Sequence, residues 1–211
     1  MGRRLTELQR LAGHESAEAH DLAQVTLESC LPLADRLGLS GLATQLQDAC
    51  FAILLPVEYR QLADSLKPTQ AEDALNLALL TREIRSLMEN SGMVCAVRGR
   101  IKGLYSLYRK MCRRGYGLDR VRDRVAIRII VGSTDDCYRV MGLIHTHLVY
   151  VPGTFDDYIG APKANGYQSL HTCISAAGRR PAEIQIRTLQ MHMAAEYGGA
   201  AHWRYKQLNS A

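Results

Sequence analysis

Long hydrophobic runs are the first thing that this sequence of 211 residues lacks. Its longest apolar stretch is ACFAILL, residues 49–55, whereas a membrane-spanning helix needs roughly 20 apolar residues. The opening residues, MGRRLTELQR, lack the apolar core of a secretory signal. Proline and glycine are few, at 6 and 17 residues, which excludes collagen-like and low-complexity chains. We therefore expect a soluble, cytoplasmic globular protein without a membrane partner.

Closely spaced cysteines are lacking as well. The six cysteines are never closer than 17 residues, so the chain has neither a CxxC redox motif nor a zinc-ribbon pattern. We expect free thiols in a reducing compartment. A strong charge imbalance is also absent, because 26 basic residues against 21 acidic ones give a net charge of +5. This surplus suits nucleic acid or a small polyphosphate, and its distribution has to distinguish them.

The hydrophobic rhythm of the chain changes near residue 92. Up to about Asn90, apolar residues recur at intervals of three and four, which predicts three or four short helices. After Gly92, β-branched or alternating runs predict strands at residues 93–97, 124–131, 169–175 and 182–187. Helical stretches at about 103–114, 134–148 and 189–206 separate or follow them. The sequence therefore predicts an α+β fold, with a mixed sheet covered by helices and a small helical region in front.

The first cluster with chemical potential is basic and spans residues 97–114, VRGRIKGLYSLYRKMCRR. On a helix starting near Gly103, Ser106, Lys110 and Arg113 lie within about 60° of one another, opposite the apolar residues. Upstream, Arg100 and Lys102 point the same way in an extended segment. Residues 98–114 contain no acid and hold seven of the 26 basic residues, which indicates a triphosphate clamp rather than a nucleic-acid surface. A solvated basic face is the alternative.

The second cluster consists of two acidic residues on predicted strands. Asp123 opens the RVAIRIIV strand, and Glu183 shares one face of AEIQIRT with Gln185 and Arg187, which predicts a solvent-facing side. Two carboxylates near a cationic cluster are what a Mg²⁺-bound polyphosphate requires. Asp123 and Arg128 are five residues apart and fall on opposite faces of a regular strand. Either Asp123 precedes the strand or a bulge separates the two residues.

The third cluster is the loop DDYIGAPKANGYQSLHT, residues 156–172. Pro162, Asn165 and Gly166 favour a turn there. Lys163, Tyr167 and His171 offer a cation, an aromatic face and an imidazole, so the loop could stack a base and reach a phosphate. A polar surface turn without function is the alternative.

Together, these clusters resemble the synthetase domain of the RelA/SpoT family, which makes the alarmone (p)ppGpp. The resemblance covers residues 95–206 through GRIKGLYSLYRKM, RDRVAIRII, DDYIGAPKANGYQSLHT, EIQIRT and MHMAAEYGGAAHWRYK. It implies a nucleotidyltransferase-like fold over residues 91–211. Residues 1–90 resemble the segment that connects the family's hydrolase and synthetase domains. The implied reaction transfers pyrophosphate from ATP to the 3′-oxygen of GTP or GDP, with Mg²⁺ as cofactor.

The resemblance also implies a role for individual residues. Asp123 and Glu183 would hold Mg²⁺, and Glu183 could instead take the 3′-hydroxyl proton. Arg100 and Arg128 would sandwich adenine. The ATP phosphates would be bound by Lys102, Ser106, Lys110 and Arg113. The guanosine nucleotide would be bound by Lys163, Asn165, Tyr167, His171 and Gln185, with Tyr167 stacked on the base.

Several features depart from the full family pattern. GTFDDY resembles the acidic version of synthesis-only members, although Thr154 replaces their glutamate. RLTE, at residues 4–7, replaces a motif of the hydrolase domain, so we do not expect hydrolysis. We expect either a short stand-alone synthetase or a fragment of a longer protein, without regulatory domains in these residues. We expect no direct nucleic-acid binding, and a homo-oligomer is left open. A catalytically silent nucleotide-binding module and an RNA-binding domain remain alternative functions.

Overall fold

The computed structural model describes residues 1–14, 16–115, 117–118, 121, 124–175 and 179–197. The chain divides into two compact units. The first contains Met1–Pro68, Gly103–Tyr116 and Glu196–Ala211, and the second contains Thr69–Lys102 and Gly117–Ala195. In the described part of the chain, no helix is long and apolar enough to span a membrane.

Helices build the first unit. They are α1 (Gly2–Leu11), α2 (Ala17–Val25), a π-helical turn (Thr26–Cys30), α3 (Leu31–Arg36), α4 (Ser40–Leu54), the start of α5 (Pro56–Asn90) and α6 (Leu104–Arg114). Ser16 caps α2 by accepting a hydrogen bond from the Ala19 amide. Leu8, Ala23 and Leu46 are fully buried at the centre of this unit.

The predicted short helices before residue 90 are wrong in one respect, because α5 alone has 35 residues. It ends at Asn90, where the helical rhythm was expected to stop. Its buried positions recur at helical spacing and are Leu62, Leu66, Asp73, Asn76, Leu80, Ile84 and Met88. Asp73 and Asn76 interrupt the hydrophobic pattern although they are buried. A pattern based on apolar residues therefore hides the continuity of this helix.

A six-stranded mixed sheet forms the second unit. Its strands are β1 (Cys95–Ile101), β2 (Val125–Val131), β3 (Val149–Tyr150), β4 (Asp156–Asp157), β5 (Leu170–Ser175) and β6 (Ala182–Thr188). The order is β1-β2-β6-β5-β3, and β4 pairs with β5. Strands β2 and β6 are parallel, whereas β1 with β2 and β5 with β6 are antiparallel. With α5, α7 (Thr134–His147) and α8 (Leu189–Tyr197), the sheet confirms the predicted α+β class.

Strand β1 is longer than the predicted segment 93–97. Its register with β2 is continuous from Cys95–Val131 to Ile101–Val125, so RGR belongs to the strand. Because β1 lies at an edge of the sheet, Arg98 and Arg100 stay exposed and the apolar alternation is lost. The other three predicted strands and the helix at 134–148 are confirmed within two residues. The last helix is described as far as Tyr197, and its predicted continuation lies outside the described residues.

The two faces of the sheet have different roles. Ile127, Ile129, Ile184 and Ile186 lie on one face and pack with side chains of α5 and α7 in the main core. The alternate residues of β6 are polar and occupy the other face. The prediction that this face is open to solvent is wrong, because Gln185 is only 8% and Arg187 only 1% exposed. Polar residues in this position are held by partners within the protein. Arg187 Nη2, for example, lies 2.7 Å from His192 Nδ1.

Candidate functional site

A row of polar positions crosses the second face of the sheet. Register pairs Arg98 with Arg128, Arg128 with Gln185, Gln185 with His171, and His171 with Asp156. Side chains at directly paired positions point to the same face. The row therefore runs from two arginines, through an amide, to an imidazole and a carboxylate.

Glu183 lies at the centre of a hydrogen-bonded network on this face. Its Oε2 accepts a hydrogen bond of 2.7 Å from Gln185 Nε2, and its Oε1 lies 3.4 Å from His171 Nδ1. His171 Nε2 is 2.9 Å from the Tyr167 hydroxyl. This arrangement suits the imidazole tautomer with its proton on Nδ1, since Nε2 then accepts from the phenol. The network holds the Glu183 carboxylate in one orientation beside an aromatic ring.

The loop after β4 places its side chains around the ring of Tyr167. Lys163 Nζ lies 4.0 Å from the centre of the Tyr158 ring and 5.3 Å from that of Tyr167. Asn165 Oδ1 accepts a 3.2 Å hydrogen bond from the Tyr167 amide and so fixes the turn. The structure thus brings together the five residues predicted for the guanosine nucleotide, and Glu183 with them. They are Lys163, Asn165, Tyr167, His171 and Gln185.

Two residues of this loop were missed from the sequence. The Tyr158 ring meets His171 edge-on at 5.3 Å and lies under Lys163. Asp157 accepts hydrogen bonds from the amides of Gly160 and Ile159, at 2.7 and 2.9 Å, and from the Tyr138 hydroxyl at 2.9 Å. These bonds, that of Gly160 above all, lower the pKa of Asp157. The sequence signal for both residues is their place within the third cluster, residues 156–172.

Arg100 and Arg128 lie on the same face, at the β1 side of the sheet. Arg100 is paired with Ala126, which makes Arg128 its diagonal neighbour. Diagonal positions on adjacent strands are roughly 7–8 Å apart, a separation that admits one planar ring between two guanidinium groups. Lys102 follows β1 directly, and its amide donates a 2.9 Å hydrogen bond to the Arg124 carbonyl.

Helix α6 belongs to the first unit. Ser106, Lys110 and Arg113 recur at helical spacing along it, as predicted. On the opposite side, Tyr108 stacks on Phe51 of α4, with ring centres 4.8 Å apart. The apolar side of α6 is therefore fixed against α4, which leaves the basic side to other partners.

A buried ion pair anchors the start of β2. Arg124 donates hydrogen bonds to Asp73 and Thr69 on α5, and both charged side chains are almost fully buried. Burial lowers the pKa of Arg124, although the neighbouring Asp73 acts in the opposite direction. No local pattern points to this pair, because its members are 51 residues apart.

Asp123, the proposed Mg²⁺ ligand, lies outside the described residues. Strand β2 begins at Val125 and pairs one-to-one with β6 through Val131. A bulge between Val125 and Arg128 is therefore not present. Among the described residues, no group of three or more His, Cys, Asp or Glu side chains is placed to hold a metal ion.

The thiols of Cys50 and Cys137 are buried, which raises the pKa of each to about 11.

Comparison with known proteins agrees with the resemblance. The family model described as the region found in RelA/SpoT proteins matches residues 99–210. The GTP pyrophosphokinase of Escherichia coli K12 is 42% identical over 176 residues, which is 83% of this chain and 24% of the relative. That of Haemophilus influenzae is 40% identical over 212 residues, covering 100% of this chain and 28% of the relative. The chain thus spans about a quarter of the length of these curated relatives.

Solved structures give the same answer for the fold. The small alarmone synthetase 2 of Bacillus subtilis is similar with a TM-score of 0.55 and 28% identity, covering 69% of this chain and 82% of the other. The small alarmone synthetase 1 of that organism, solved with its product pppGpp, is similar with a TM-score of 0.53 and 25% identity. There the similarity covers 69% of this chain and 83% of the other. From the match over residues 99–210, the chain belongs to the RelA/SpoT family.

Proposed function

We propose that this protein transfers pyrophosphate from ATP to the 3′-hydroxyl of GTP or GDP, releasing AMP and pppGpp or ppGpp. The observation that carries the proposal is the network of Tyr167, His171, Glu183 and Gln185. It combines a surface for stacking a base with an oriented carboxylate. A relative with this fold, the small alarmone synthetase 1 of Bacillus subtilis, was solved with pppGpp.

Glu183 acts at the acceptor in this proposal. The 3′-oxygen attacks the β-phosphorus of ATP, and the 3′-hydroxyl proton passes to the Glu183 carboxylate. The bond between the β-phosphorus and the α,β-bridging oxygen breaks, and AMP leaves with that oxygen. Such a transfer depends on in-line positioning and charge neutralisation, and needs no covalent intermediate. Tyr167 stacks on guanine, while Lys163, Asn165, His171 and Gln185 hold the rest of the nucleotide.

The donor nucleotide is assigned mainly to basic residues. Arg100 and Arg128 flank adenine, consistent with their diagonal positions on one face. The phosphates bind Lys102 and the basic side of α6, formed by Ser106, Lys110 and Arg113. Only Gly103 separates Lys102 from the first residue of α6. We propose residues 91–211 as the synthetase domain and 1–90 as the segment that precedes it.

Mg²⁺ fits the residues available. It commonly binds through one or two carboxylates together with substrate phosphates, so a cage of protein ligands is not required. Asp123 is proposed as a carboxylate ligand. Glu183 would be the second ligand in the alternative in which it does not accept the 3′-hydroxyl proton. When bound, Mg²⁺ neutralises the charge that develops on the phosphates.

An assay with Mg²⁺, ATP and GTP or GDP tests the proposal directly. We expect AMP and a 3′-pyrophosphorylated guanosine nucleotide in equal amounts. Glu183→Gln should slow the reaction by on the order of a hundredfold or more, and Asp123→Ala likewise. Glu18→Gln, an exposed glutamate on α2, is the matched control and should leave the rate unchanged. If both nucleotides bind and neither product forms, the protein is a silent nucleotide-binding module instead.

A further inference from the structure

Helix α6 begins at a residue that cannot cap it. Its N-cap is Gly103, which has no side chain to accept a hydrogen bond, and its first turn contains no acidic residue. The first amides of a helix nevertheless need acceptors, and a side-chain oxygen usually provides one. An acceptor for α6 must therefore come from another part of the chain.

Asp48 of α4 supplies that acceptor. Its Oδ2 accepts a 3.2 Å hydrogen bond from the Leu104 amide, and its Oδ1 accepts a 2.8 Å bond from the Tyr105 amide. One carboxylate thus binds the first two amides of α6 from a helix that is 56 and 57 residues away in the sequence. Burial raises the pKa of Asp48, and these two backbone bonds oppose that rise. Part of the cost of burying the carboxylate is therefore offset by the helix that it caps.

The surrounding residues are shaped for this contact. A Cβ atom at position 103 would lie 2.5 Å from Thr44 Cγ2 and 2.9 Å from Asp48 Oδ2, so only glycine lets α4 approach so closely. Further along α6, Tyr105 and Tyr108 pack against Phe51, with ring centres at 5.6 and 4.8 Å. Helix α4 therefore contacts α6 at its first turn and again one turn later. Two contacts along the axis fix the rotation of α6, and with it the direction of its basic side.

We propose that Asp48 is a positioning residue of the ATP site, so that the helical segment before β1 is part of the donor-binding machinery. This inference depends on the proposed function, because it takes α6 as the helix that binds the ATP phosphates. A helix N-terminus attracts anions through its free amides and its dipole. Since the Asp48 carboxylate already occupies that end of α6, the phosphates bind along the side of the helix, at Ser106, Lys110 and Arg113.

Two variants test the role of Asp48. Asp48→Ala removes both acceptor oxygens, whereas Asp48→Asn keeps one. The matched control is Asp35→Ala, an exposed aspartate on α3. Loss of a cap costs roughly 0.5–2 kcal/mol, or about 2- to 30-fold in an equilibrium constant. We expect amide exchange at Leu104 and Tyr105 to accelerate by about that factor in Asp48→Ala, and less in Asp48→Asn.

The nucleotide readouts distinguish positioning from a general loss of stability. In Asp48→Ala, the Kd for ATP and the KM for ATP should rise about 2- to 30-fold, while the KM for GTP stays unchanged. A merely destabilised protein would lose active enzyme and leave both KM values unaltered. ATP binding is measured without turnover, by calorimetry. If the unaltered protein binds ATP but makes no AMP, the proposed function fails and this inference is still tested.

A rescue variant returns a cap to α6 itself. Gly103→Ser supplies a serine at a position with extended backbone, φ −64° and ψ 153°, which suits an N-cap. Combined with Asp48→Ala and Thr44→Ser, which clear the space it needs, it should restore slow amide exchange and the original Kd for ATP. Unchanged exchange in Asp48→Ala would overturn the capping role. An unchanged Kd for ATP in that variant, or no ATP binding by the unaltered protein, would overturn the role in the donor site.

Discussion

Each residue of the hydrogen-bonded network around Glu183 holds its neighbour through a specific contact. His171 links the hydroxyl of Tyr167 to the carboxylate of Glu183, and Gln185 fixes the second oxygen of that carboxylate. A substitution of Tyr167 can therefore have two separate consequences, the loss of a stacking surface and the loss of a hydrogen bond.

Tyr167 separates these two consequences. Tyr167→Ala should raise the KM for GTP about 5- to 150-fold, because stacking on an aromatic side chain contributes roughly 1–3 kcal/mol per base. Tyr167→Phe keeps the ring and loses only the bond to His171, so it should affect kcat more than the KM for GTP. Steady-state kinetics with each nucleotide varied in turn measures both. Tyr150→Ala is the control, since Tyr150 is paired with Ile174, which faces the core. An equal effect of all three substitutions would refute the stacking role.

Asp157 should make the stability of the protein depend on pH in the acid range. Hydrogen bonds, first that of the Gly160 amide, lower its pKa from the ordinary 3.8. A lowered pKa in the folded state contributes stability above pH 3.8, and this stability is lost as the pH falls through the lowered pKa. Asp157→Asn should therefore be less stable than the unaltered protein at about pH 5, and the difference should shrink as the pH falls below 3.8. Urea unfolding over this pH range measures the difference, and a constant value would contradict the assignment.

At the scale of elements, the approach of β1 to α5 depends on Gly99. A Cβ atom there would lie 2.5 Å from Leu77 Cδ1 and 2.9 Å from Thr81 Oγ1. Gly99→Ala should lower the free energy of unfolding by about 1–3 kcal/mol, because the crowded side chains must shift. Gly142→Ala, in α7 with no atom within 4 Å, is the matched control and should stabilise by roughly 0.5–1 kcal/mol. If both substitutions had the same sign in urea unfolding, the close approach would be refuted.

Across the whole molecule, the sequence predicted what depends on local pattern. The alternation in β6 and the β-branched run in β2 placed two strands. Most of the residues proposed for the guanosine nucleotide lie together because they are neighbours in one loop. Contacts between distant polar residues were missed, as with Asp48 capping α6 and Asp73 binding Arg124. A buried polar residue looks like a surface residue in a hydrophobic pattern, and only the folded chain shows which partner satisfies it.

The basic residues of 98–114 could bind either a nucleotide or RNA, and the two alternatives predict different effects of substitution and of salt. A triphosphate clamp depends on particular cations, so Lys110→Ala should weaken ATP binding about tenfold, as expected for one lost charge-assisted hydrogen bond. Arg109→Ala is the matched control on the same helix, since Arg109 lies near the Tyr105 ring, 5.9 Å from its centre, and is not among the residues predicted to bind the ATP phosphates. An RNA surface would lose similar affinity in both variants. Its affinity for a single strand would also weaken roughly 300-fold or more between about 50 and 200 mM salt if six or more phosphates were contacted. Calorimetric titration with ATP and with a single-stranded RNA, at both salt concentrations, distinguishes the two alternatives. We expect Lys110→Ala to weaken ATP binding and Arg109→Ala to leave it unchanged.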